Sequence, residues 1–196
     1  MMRMIETALP GVAIIEPEVY RDARGFLAEV YHAAQLASFG IGTVWVQDNH
    51  SRSVRNTLRG LHWQYRRPQA KLVRAVRGEI YDVVVDIRRG APTFGKWIGV
   101  HLSADNMRQT FIPEGFAHGF CVLSETADVE YKCSDYYDPG GEGGIPWNDP
   151  AVAVTWPVAA PILSVKDRTY EPLARQENNL PTLDSTGRLL WSRSER

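Results

Sequence analysis

The chain has 196 residues, the size of one ordinary domain, and its 44% hydrophobic share is enough for a sizeable core. Lys and Arg number 22 against 23 Asp and Glu, so at a formal charge of −1 no global field draws the protein to nucleic acid or an anionic membrane, and any anionic ligand must be held by local Arg and Lys groups. No apolar run approaches the ~20 residues of a membrane span, and the N-terminus shows no secretory pattern, so a cytoplasmic protein is expected.

In chain order, "GVAIIEPEVY" begins as a strand that Pro17 restricts to an edge or a bend. "RDARGF" is a turn, "FLAEVYH" resumes strand character, and "AAQLASFG" is a short helix with Gly40 placed to cap its end. "TVWVQDNHS" alternates, with Val44 and Val46 on one face and Trp45 and Gln47 on the other. The strongest β signal is "GEIYDVVVDI". Tyr81, Val83, Val85 and Ile87 share one face, and Ile80, Asp82, Val84 and Asp86 share the other. Turns recur at "RGAPTFGK", "LSADN", "IPEGFAHG", "DPGGEGG" and "WNDP", and short strands between such turns predict an all-β sandwich or barrel. A βαβ fold would need helical stretches that are missing. One domain over residues 1–196 is expected, with a polar, Pro-interrupted tail from about residue 170 that packs along the surface or partly frays. Cys121 and Cys133 lie in strand-like contexts without metal-ligand spacing, which suits two buried thiols.

A metal is the first chemistry to test. Pro113, Gly115 and His118 follow the P-x-G-x-x-H spacing of metal-binding cupins, but the partner segment reads "LHWQ", with Gln64 where a second His should stand, and no Glu follows. Two His without a carboxylate make a poor Zn or Fe site, so no metal is expected. No G-x-S-x-G elbow offers a nucleophile. General acid–base chemistry fits better. Histidine titrates near neutrality, so His62 can serve as a base, Asp167 can orient it, Tyr131 can return a proton, and Lys71 can stabilise an enolate oxygen. Each also has a plain structural reading: Tyr131 as a sheet aromatic, Lys71 as a snorkelling strand residue, Asp167 as a turn former. For anions the chain offers Arg24, Arg59 and Lys166, and Arg59 stands out because it lies inside an apolar run. Strand alternation cannot place Arg59 and His62 on one face without a bulge or twist, which Gly60 between them could permit.

"QDNHSRS", "LRGLHWQ", "KLVRAVRGEIYDVVVDIR", "PTFGKW", "IPEGFAHGF", "YKCSDYYDP", "GIPWNDP" and "LSVKD" occur in the order seen in dTDP-4-dehydrorhamnose 3,5-epimerases, and the chain resembles that family over roughly residues 5 to 170. The resemblance implies a cupin-type jelly-roll β-sandwich, a homodimer and no metal or other cofactor. It implies a dTDP-4-dehydro-6-deoxy-glucose substrate and a dTDP-4-dehydro-rhamnose product, with His62 as base, Asp167 as its orienting carboxylate, Tyr131 as acid and Lys71 at the enolate oxygen. Positions similar to the family's substrate contacts are Arg24, Glu29, Gln47, Asn49, Arg59, His118, Glu142 and Lys166, of which Arg24 and Arg59 suit the diphosphate on charge. Phe26 and Tyr137 are stacking candidates for the thymine ring, and the segment from Arg24 to Glu29 is expected to reach the neighbouring subunit's pocket. The base, acid and orienting positions show no departure from the family pattern. Three alternatives stay open: a mono-epimerase acting at C3 or C5 only, a non-catalytic sugar-nucleotide binding module, and a metal-dependent cupin oxygenase, the last disfavoured by Gln64.

Overall fold

The period-two strand around Val83 carries apolar side chains on both faces, so it must lie in the middle of the molecule with a layer on each side. A computed structural model of the chain describes residues 2–176 and 179–191, and it places this strand in that way. In chain order the strands are β1 (Arg3–Glu6), β2 (Ala13–Glu16), β3 (Val19–Asp22), β4 (Gly25–Ala28), β5 (Gln47–Val54), β6 (Leu58–Gln64), β7 (Lys71–Arg77), β8 (Glu79–Asp86), β9 (Trp97–Ser103), β10 (Gln109–Ile112), β11 (Phe116–Val122), β12 (Thr126–Cys133), β13 (Glu142–Gly144), β14 (Thr182–Leu183) and β15 (Leu189–Leu190), with one short helix, α1 (Ala33–Ser38). Two antiparallel sheets form the body, one ordered β1-β2-β10-β7-β12-β5 and the other β13-β6-β11-β8-β9. Both the all-β class and the cupin-type sandwich expected from the sequence are thus realised. Among the described residues no helix is long and apolar enough to cross a membrane.

Three apolar clusters follow from the pleat. Between the sheets, Val73 and Val129 meet Ile80, Val84, Phe116 and Phe120. On the far face of the five-stranded sheet, Val83, Val85 and Ile87 pack with Leu61 and Trp63 under a cover that includes Ile145, Val152, Leu173 and Leu180. On the far face of the six-stranded sheet, Ile15, Leu72 and Phe111 are covered by Leu36 and Ile41. Each fully buried Val, Leu or Ile contributes about 2 kcal/mol of transfer free energy. The segment after Tyr170 is therefore more than a surface strip: Leu173 and Leu180 are buried, and the Trp63 indole donates to the Asn179 carbonyl at 2.9 Å.

Strand bounds differ locally from the expectations, and the strand expected over "FLAEVYH" ends at Ala28. The strand expected from Thr43 begins at Gln47, because residues 43–46 have no ladder partner beyond one bond from the Val46 N–H to the Cys133 carbonyl. The burial alternation survives there without a strand: Trp45 packs edge-on to Phe111, while Val44 and Val46 are exposed. The strand containing Pro17 splits into β2 and the β3–β4 hairpin, whose turn is the "RDARGF" segment. The helix ends as its sequence requires, with Gly40 in the left-handed region at φ +84° and its N–H bonded to the Ala37 carbonyl.

The glycine of "LRGLH" has a physical reason. The β6–β11 register pairs His118 with His62 and Phe120 with Arg59, so the ladder shifts between them. Gly60 sits at φ +130°, and a Cβ there would lie 2.4 Å from the Gly119 Cα. Gly60→Ala is expected to destabilise the protein by about 3 kcal/mol, from overpacking against backbone plus an unfavourable φ. Urea unfolding measures this, and a cost below about 1 kcal/mol would mean the bulge can relax.

Candidate active site

The inward faces of the two sheets are apolar at one end and polar at the other. On β7, Lys71 shares the face of Val73 and Ala75; on β12, Tyr131 and Cys133 share that of Val129. β5 adds Gln47, Asn49, Ser51 and Ser53, which lie across from the inward residues of β12. From the second sheet, β11 supplies His118, β8 supplies Asp82, and the shifted ladder of β6 lets Arg59 and His62 line one cleft. The same alternation that builds the core therefore builds a pocket at its polar end.

Two adjoining depressions of about 350 and 450 Å³ share His62, Lys71 and Tyr131. The His62 Nε2 lies 2.5 Å from Asp167 Oδ1. Asp167 sits on a 3-10 turn, Lys166–Arg168, is buried, and donates its own N–H to the Ser164 hydroxyl oxygen at 3.0 Å. Burial pushes its carboxyl up, but hydrogen bonds from His62 and Ser164 outweigh that and hold it below the ordinary carboxylate range. A carboxylate accepting from Nε2 leaves Nδ1 as the nitrogen able to take a proton. Beside the ring, Tyr170 stacks at 5.4 Å with a 59° tilt.

Burial depresses the Lys71 amino group, opposed by the charges of Cys133, Glu142 and Asp82. No ion pair within 4 Å reaches it among the described residues. Burial also raises the Tyr131 phenol, which favours its protonated form. The His118 Nε2–H donates to Asp82 Oδ1 at 2.7 Å, and its burial lowers its affinity for a second proton despite that carboxylate. Asp82 is the residue that the sequence placed on the buried face without assigning it a task; an acid alternating with Ile80 and Val84 was the available signal.

Glu142 is the hub of the cleft's rim. It receives the Tyr137 hydroxyl at 2.6 Å, the Tyr170 hydroxyl at 3.0 Å and the Lys166 ammonium at 2.5 Å, and its Oε1 lies 3.9 Å from His62 Nδ1. Burial raises this carboxyl, but those donors and His62 outweigh it, so it stays below the ordinary range. The Gly-rich stretch around it forms a 3-10 turn and then edge strand β13, which pairs Glu142 with Gln64 and Gly144 with His62. A Cβ on Gly144 would meet the Tyr170 ring at 2.4 Å, so glycine there lets the tyrosine reach Glu142.

Of the remaining sequence candidates, Arg59 Nε donates to Ser53 at 3.0 Å, Gln47 Nε2 donates to Asn49 at 3.1 Å, and the Gln47 side-chain oxygen Oε1 accepts from the Tyr137 N–H at 3.0 Å. Tyr137 stays about half exposed at the rim. The single chain does not bring Arg24, Phe26 or Glu29 to the cleft: Arg24 pairs with Asp22 at 2.6 Å, Phe26 is 60% exposed, and Glu29 receives Gln35 at 3.1 Å. Ser51, Ser53 and Tyr170 are pocket or second-layer residues that sequence reasoning missed. Ser51 is notable because its buried hydroxyl has no hydrogen-bond partner among the described residues. The Gln64 amide oxygen takes the Asp138 N–H at 3.2 Å, and among the described residues no three His, Cys, Asp or Glu groups are gathered to hold a metal.

This pocket sits on a fold shared with dTDP-sugar epimerases, mono-epimerases among them. The family model described as dTDP-4-dehydrorhamnose 3,5-epimerase matches residues 6–175. The chain belongs to that family. A dTDP-4-dehydrorhamnose 3,5-epimerase of Salmonella typhimurium is 53% identical over 170 residues, covering 85% of this chain and 93% of its own. One from Methanothermobacter thermautotrophicus is 51% identical over 174 residues, covering 87% and 94%. The crystal structure of a dTDP-6-deoxy-D-glucose-3,5-epimerase from Legionella pneumophila in complex with dTDP-4-keto-L-rhamnose superposes with a TM-score of 0.91 at 47% identity, covering 94% of this chain and 100% of that one.

Proposed function

We propose that the protein inverts C3 and C5 of dTDP-4-dehydro-6-deoxy-D-glucose, giving dTDP-4-dehydro-L-rhamnose, by proton transfer through an enolate. The observation that carries this reading is the His62–Asp167 pair opening onto a cleft that also holds Lys71 and Tyr131. The C4 ketone acidifies both neighbouring C–H bonds, so the substrate supplies its own electron sink and the chemistry calls for no cofactor. His62 Nδ1 removes the proton, with Asp167 stabilising the imidazolium through Nε2. The electron pair of the C–H bond becomes the enolate, with its charge on the C4 oxygen, and the Lys71 ammonium at the cleft stabilises it. Tyr131 then gives its phenolic proton to the opposite face of the same carbon, and the centre is inverted. In this reading His118, Asn49 and Gln47 hold the sugar, and Arg59 the diphosphate.

Incubation with dTDP-4-dehydro-6-deoxy-D-glucose in deuterated water tests the assignment by NMR. Deuterium at C3 and C5 with inversion at both supports it. One inverted centre makes the protein a mono-epimerase, and no exchange at either carbon overturns the enzymatic reading for this substrate in favour of a binding module. Loss of activity in EDTA would restore the metal. The two unpaired buried thiols suit a reaction that runs in the cytoplasm.

We further propose a homodimer in which the β3–β4 hairpin lends Arg24, Phe26 and Glu29 to the partner's cleft. In support, this hairpin forms a two-stranded sheet of its own and exposes Tyr20, Phe26 and Leu27. A mixture of Arg24→Ala and His62→Ala subunits, each inactive at low substrate, is expected to recover about a quarter of wild-type activity. Half the dimers are then mixed, and each mixed dimer has one cleft with both residues intact. No recovery after subunit exchange would place Arg24 in its own subunit's site.

A further inference from the structure

Two inversions by one base and one acid create an accounting problem. After the first, His62 holds a proton and Tyr131 lacks one, so neither can act again until a proton leaves the first and another reaches the second. A bound sugar covers the cleft, and the His62 side chain is only 27% exposed even without it. We propose that Glu142 is the proton relay that resets His62 between the two inversions, an inference that rests on the double-epimerase reading above.

The geometry points to Glu142 on three counts. Its Oε1 is 3.9 Å from His62 Nδ1, the nitrogen left free by Asp167, and a movement of about 1 Å brings the two to hydrogen-bond distance. Its Oε2 is 2.6 Å from the Tyr137 hydroxyl, on a side chain that is about half exposed, so the path continues to solvent. Its position is held by Tyr170 and Lys166, on the same segment that carries Asp167. In the reset, the Nδ1 proton passes to the Glu142 carboxylate, which becomes a carboxylic acid and leaves neutral imidazole. The carboxyl group turns to bring that proton to the Tyr137 oxygen, whose hydroxyl, a donor to Glu142 Oε2 at rest, swings toward solvent and releases its own proton to water. The Tyr131 phenolate takes one proton from water. One proton is moved and no charge is changed overall. Glu142 acts through His62 and is a relay and positioning residue, not the base itself.

The test is the partition of products at short times in deuterated water, read by NMR for Glu142→Gln and Tyr137→Phe, with and without added formate as a small proton carrier. Glu142→Gln is expected to lower the ratio of doubly to singly inverted product about tenfold, and formate is expected to restore most of it. Tyr137→Phe keeps the ring, the carboxylate and its Lys166 ion pair, and is expected to lower the ratio in the same direction; it decides the matter if the Gln variant does not fold. An unchanged ratio, or a fall that formate does not reverse, overturns the relay, because a purely structural role would slow both inversions alike and would not respond to a carrier. Failure of the wild-type protein to invert either carbon would be a failure of the function reading and is seen in the same spectra.

Discussion

His62→Ala is expected to stop deuterium exchange at C3 and at C5 together, with a loss of about 10⁴-fold at each carbon. The two losses go together because His62 is the proposed base for both carbons, part-exposed at the cleft with its Nε2 held by the buried Asp167 carboxylate and its Nδ1 left free. His118 does not substitute for it: its Nε2 is tied to Asp82, it is almost fully buried, and its burial already disfavours the imidazolium that proton abstraction would create. NMR exchange at each carbon measures the effect. Retained exchange at one carbon alone would assign that carbon to a second base, with the His118–Asp82 pair first in line.

Lys71→Met is expected to lower turnover by about 10²- to 10³-fold, the range for removing one preorganised group at a developing oxyanion. It is also expected to raise the melting temperature by about 3 °C, since a thioether of similar length replaces an ammonium that burial penalises and no carboxylate pairs with at close range. The sign of its pH dependence follows from the direction of the shift. The folded amino group binds its proton less tightly than an unfolded lysine, so the unfolded state holds more protons and wild-type stability rises with pH. The stability gap between variant and wild type is therefore widest below the depressed value and closes as pH approaches the ordinary lysine value of about 10.4. Calorimetry across that range tests it, and a variant less stable than wild type at neutral pH would show that Lys71 has a partner of real strength.

Much of the frame was legible because it rests on the pleat. The alternation around Val83 predicts a strand buried on both faces, and the structure gives it a cluster on each. The turn residues predict short antiparallel strands, and Gly40 predicts the end of the helix. The odd spacing of Arg59 and His62 calls for a bulge, and the β6–β11 ladder shifts where Gly60 meets Gly119. What the sequence hides is mostly distance along the chain. Asp167 lies 105 residues from His62, and Glu142 meets Tyr170 across 28, so no local pattern links them. Asp82 was hidden differently: its face was readable, but its partner on a neighbouring strand was not. The polar look of the last segment concealed Leu173 and Leu180, because two well-placed apolar residues are enough to anchor a stretch whose average is hydrophilic.

That anchoring has a consequence for the order in which the molecule becomes competent. The proposed base, His62, is made early, on β6, but its Asp167 partner arrives on a turn just ahead of the segment fastened by Leu173, Leu180 and the Trp63–Asn179 bond. A nascent chain emerging from the ribosome could close both sheets and still hold its imidazole in no fixed tautomer. Activity would then switch on only as Leu173 and Leu180 dock, so a clip just ahead of them would silence the enzyme while leaving most of its architecture standing.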